Sequence, residues 1–67
     1  MRPLMEILED ERSLMLKLET IYQNMLRYPD KDVYEILTAK RGVVRRDLDK
    51  IRNELREYIV ELINHGE

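Results

Sequence analysis

The sequence predicts an all-α protein: an antiparallel two-helix hairpin that dimerises into a four-helix bundle. Three observations carry that reading. Apolar residues recur at alternating steps of three and four in both halves of the chain, the period of one helix face. The only prolines, Pro3 and Pro29, stand where a first helix would begin and end. With 67 residues and no cysteine, the chain is one small domain (residues 1–67) with no disulfide or thiolate metal site to support a thin core. Association is the remaining remedy.

The first helix is expected over 3–28. Its seam is Leu4, Ile7, Leu14, Leu18, Ile21, Met25 and Tyr28, interrupted only by Glu11. Pro3 suits the first turn, where its missing N–H costs nothing. Pro29 ends the helix because its ring pushes Tyr28 out of the α region. A loop over 29–31 follows.

The second helix is expected over 32–64. Asp32 followed by Glu35 resembles a capping box, with Asp30 as the competing cap. Tyr34, Leu37, Val44, Leu48, Ile51, Leu55, Tyr58 and Leu62 repeat the spacing, and Arg41 is the single break. The run Asn64-His65-Gly66 is a stop signal, a cation near the negative end and then a Gly suited to αL. Gly42 is the weak point, costing up to ~1 kcal/mol inside a helix relative to Ala.

So short a loop makes the helices antiparallel neighbours. Setting Tyr28 opposite Tyr34 brings Met25 to Leu37, Leu18 to Val44, Leu14 to Leu48, Ile7 to Leu55 and Leu4 to Tyr58. The last turn of the second helix then overhangs. Glu11 falls near Ile51 and Arg41 near Ile21. Pairing of these two charges between chains would select one dimer arrangement, since a seam charge trades stability for register.

The first helix carries more apolar surface than one neighbour can cover. Leu8, Met15 and Tyr22 adjoin its seam, and Met5, Leu16 and Leu26 lie beyond it. The second helix has charge at most outward positions. The first is therefore expected to be sandwiched, with an oligomer or partner interface formed by Leu8, Leu14, Met15, Leu18, Ile21, Tyr22 and Met25. The expected partner is a second copy, and a heterologous protein helix is the alternative. The tyrosines and Met5, Met15 and Met25 read as amphipathic or flexible core filling.

Composition excludes several functions. Twelve Lys and Arg against 14 Asp and Glu give a net charge of −2, which excludes a globally basic nucleic-acid binder. The apolar run Leu14-Met15-Leu16 is far below the ~20 residues a membrane span needs. Glu6, Glu9, Asp10 and Glu11 follow the amino terminus closely, a pattern wrong for a secretory or transit peptide. A cytoplasmic, membrane-free protein is expected.

Chemistry is sparsely provided for. His65 is the only histidine and lies near the chain end; Ser13 is the only serine, with no base placed to activate it. The glycines stand alone, so no phosphate loop exists. No catalytic residue, cofactor or metal ligand is expected, and the chain reads as a non-enzymatic helical protein-interaction module, a regulator or an assembly subunit. The alternative is a nucleic-acid-binding regulator using the basic stretch 40–52, with Lys40, Arg45 and Arg46 as contacts, either across a hairpin dimer or as a degenerate helix-turn-helix. That second form needs a turn at Gly42 and a capping residue where Val44 stands, which Val cannot be.

Overall fold

The computed structural model describes residues 2–65 and consists of two helices packed on each other, α1 (Leu4–Arg27) and α2 (Lys31–His65). There is no strand among the described residues. The molecule is a rod 55 Å long and 15 Å across, and at 1.5 Å per residue α2 alone, roughly 52 Å, accounts for its length. No helix among the described residues is long and apolar enough to cross a membrane.

Both ends of α1 and the start of α2 lie one residue from their expected places, for local reasons. Pro3 does not join the first turn. Its ψ of 145° is extended, so it is the residue before α1, and its carbonyl accepts from the N–H groups of Glu6 and Ile7 at 3.1 and 3.2 Å. At the other end Tyr28 is non-helical (φ −121°, ψ 84°), as a residue before proline must be, while its N–H still reaches Asn24 O at 2.9 Å.

The start of α2 corrects the expected capping box. Asp30, not Asp32, holds the cap. Its Oδ1 accepts from the Asp32 N–H at 3.4 Å, and its carbonyl accepts from the Tyr34 N–H at 2.9 Å. Asp32 is then a second-position acid in the first turn, favourable to the positive helix end but not the cap. With Lys31 already the first residue of α2, the residue before the helix is Asp30, and the cap falls to it.

Through Gly42, α2 is continuous, and no glycine among the described residues has a positive φ. The helix-turn-helix form of the basic-stretch reading is therefore corrected: there is no turn at Gly42. The seam stays in phase across that residue, and burying Leu37 on one side and Leu48 on the other outweighs the local cost of glycine. The stop expected at Gly66 lies outside the described residues.

The core is one row deep. Ile7 and Ile21 of α1 and Leu37, Leu48 and Ile51 of α2 are buried, and only Ile7 is wholly so. Leu4, Leu14, Leu18 and Met25 are half-buried beside them, as are Val44, Leu55 and Tyr58. Two helices cover only one stripe of each other. That limit shapes everything outside the seam.

Candidate interaction surface

Among the described residues, fourteen large apolar side chains are exposed, against five that are buried. A monomer commonly scatters such residues singly, whereas contiguous patches mark interaction sites. Here they are not scattered. Met5, Leu8, Met15, Tyr22 and Leu26 lie along α1, and with Arg12 and Glu19 they continue the alternating steps of three and four. At 100° per residue this second stripe, one residue on from the seam that meets α2, lies roughly 100° around α1 from it.

The expected interface residues divide between the two stripes. Leu14, Leu18, Ile21 and Met25 belong to the seam and are half-buried or buried inside the hairpin. Leu8, Met15 and Tyr22 remain exposed. Core filling does not describe Met5, Met15, Tyr22, Tyr28 or Tyr34, each of which is at least two-fifths exposed. The reason is geometric: Met5, Met15 and Tyr22 lie beside the seam, where a single neighbouring helix does not reach, and Tyr28 and Tyr34 flank the link at the loop end of the hairpin.

On the other flank a groove of about 760 Å³ opens between the helices near the loop. Leu16 and Thr20 of α1 and Ala39 and Val43 of α2 form its walls, with Lys17 and Lys40 alongside. Sequence reasoning missed this groove. Its only signal was the placement of small or apolar residues where an outward helix face ordinarily carries charge. Near the carboxyl end Ile59, Val60, Leu62 and Ile63 are also exposed, in the stretch where α2, 35 residues long, outruns the 24 residues of α1.

Electrostatic contacts concentrate at the amino end of the hairpin. Arg2 donates from Nε to Glu54 Oε2 at 2.9 Å, from Nη1 to Glu6 Oε1 at 3.3 Å, and from Nη1 to Asp10 Oδ2. Hydrogen bonds to Asp10 and then Glu54 hold its guanidinium proton more tightly than usual. This clamp ties the start of α1 to the body of α2. It also engages Glu6 and Asp10 of α1. Arg2 stands just before α1, four residues ahead of Glu6 and eight ahead of Asp10, and reaches both.

Arg52 instead lies 3.9 Å from Glu11, the acid that interrupts the seam. Glu11 and Arg41 are both half-buried, so Glu11 has a cationic neighbour within its own chain. Thr38 Oγ1 is buried without a hydrogen-bond partner.

Lys40, Arg45 and Arg46 are exposed, but the helix does not gather them. Successive separations of about 140°, 100° and 120° distribute them around α2. Lys40 borders the groove near Lys17, whereas Arg45 lies beside Tyr22 and Arg52 on the opposite flank. Among the described residues no group of three His, Asp or Glu side chains is placed to hold a metal ion. Comparison of the chain with protein-family models, curated proteins and solved structures finds no match.

Proposed function

We propose that this chain is a non-enzymatic helical interaction module whose working form is a homodimer of hairpins, a four-helix bundle in which α1 is sandwiched. The observation that carries the reading is the second apolar stripe of α1, Met5, Leu8, Met15, Tyr22 and Leu26, exposed along the length of the helix. A two-helix rod with a single row of buried side chains gains most by burying that stripe, because each large apolar side chain taken from water is worth roughly 1.5–3 kcal/mol. The mechanism is recognition by a helix face, and the role that suits it is a small regulator or assembly subunit.

Nucleic-acid binding by the stretch 40–52 is the weaker reading, since Lys40, Arg45 and Arg46 point in three directions and Arg52 lies near Glu11. Light scattering behind size exclusion, across a concentration series, tests the proposal. It expects a mass of twice 8.2 kDa. A monomer at every concentration, with helical circular dichroism intact, would overturn it.

A further inference from the structure

The order of residues along the second stripe specifies more than association. From the amino end it runs Met5, Leu8, Arg12, Met15, Glu19, Tyr22, Leu26. Two apolar residues, a cation, an apolar centre, an anion and two apolar residues follow one another. Read backwards, the apolar pattern is unchanged and the two charges exchange sign. Arg12 and Glu19 are both exposed and make no ion pair among the described residues.

We infer that a second copy of this chain docks along this stripe with its α1 antiparallel to the first, the twofold axis passing near Met15. This rests on the self-association proposed above and adds its face and direction. The antiparallel arrangement brings Arg12 of each chain beside Glu19 of the other, twice by symmetry, as an isologous contact requires. It sets the Met5–Leu8 end of one helix on the Tyr22–Leu26 end of its partner, and Met15 meets its own copy. A parallel arrangement would stack Arg12 on Arg12 and Glu19 on Glu19. Like charges facing across a helix pair are destabilising, and such flanking charges set partner orientation. The contact face of α2 is already occupied by α1, and the middle of its outward face is charged at Arg45, Asp49, Arg52 and Arg56. The hairpins therefore meet through α1, with their loops pointing in opposite directions.

Charge reversal in the full chain tests this by sedimentation. Arg12→Glu or Glu19→Arg alone replaces two attractive pairs by two repulsive ones and is expected to weaken the homodimer on the order of tenfold. The double variant R12E/E19R regains wild-type affinity, and an equimolar mixture of the two single variants forms a heterodimer tighter than either homodimer. Both positions are exposed, so circular dichroism stays as in the wild type. If the wild type dimerises but the single reversals leave its affinity unchanged, or the double variant is no tighter than the singles, this face and direction are wrong while self-association stands. If the wild type is a monomer throughout, self-association fails and the inference fails with it.

Discussion

α1 and α2 share one seam and bury comparable rows of side chains in it, yet the middles of their outward faces differ. α1 turns a second apolar stripe to solvent, from Met5 to Leu26. In its middle α2 presents Arg45, Arg46, Asp49, Lys50 and Asn53, and its exposed Ile36 and Val43 lie nearer the loop. A helix with one apolar stripe is finished by one neighbour; a helix with two needs another. In the assembly proposed above, that contrast would make α1 the inner helix and α2 the outer wall.

The largest effect comes from opening the shared seam. Leu48 is nearly fully buried, and Leu48→Ala is expected to cost about 2–5 kcal/mol, a large share of what so small a domain possesses. Thermal melting by circular dichroism will show it as a steep fall in Tm. Next is the second stripe itself. Met15→Glu leaves the hairpin's own seam intact and places two charges at the centre of the proposed contact. It is expected to leave helicity with little change at high concentration while abolishing the dimer in sedimentation. Were the same result to follow from substituting an outward α2 residue such as Asn53, the contrast between the helices would be lost.

Gly42 sharpens the comparison from the other side. Nothing lies within 4 Å of where its Cβ would be, so Gly42→Ala removes a helix-interior glycine without a clash. A gain of about 0.5–1 kcal/mol is expected, with the oligomeric state unchanged, because Gly42 lies on α2 and away from the outer stripe of α1. Chemical denaturation with a matched mass measurement checks both. A loss of the dimer would place α2, not α1, at the contact.

Much of this could be read from the chain because it was local. The three-four spacing and Pro29 mark the helices, and the unbroken phase of the seam across Gly42 indicates that α2 continues through it. The excess apolar surface of α1 was equally legible, since it depends only on helical period. Contacts that depend on tertiary register were not. Arg2 precedes α1 in sequence, and its bond to Glu54 exists only once α1 and α2 are aligned. The choice of Asp30 over Asp32 as cap turns on where a three-residue link releases the chain. The groove beside Leu16 and Val43 appears only when two helix flanks diverge in space.

The central claim is that the outer stripe of α1 is covered in the assembled protein while the outer face of α2 is not. The chain has no cysteine, so a single introduced thiol reports its own surroundings. Met15 and Asn53 are both exposed in the isolated hairpin, which makes Met15→Cys and Asn53→Cys a matched pair. Their reaction rates with a thiol reagent, measured from dilute to concentrated protein, separate the two helices directly. A rate for Met15→Cys that falls with concentration while that of Asn53→Cys stays constant is the predicted result. Equal rates at every concentration would contradict the account.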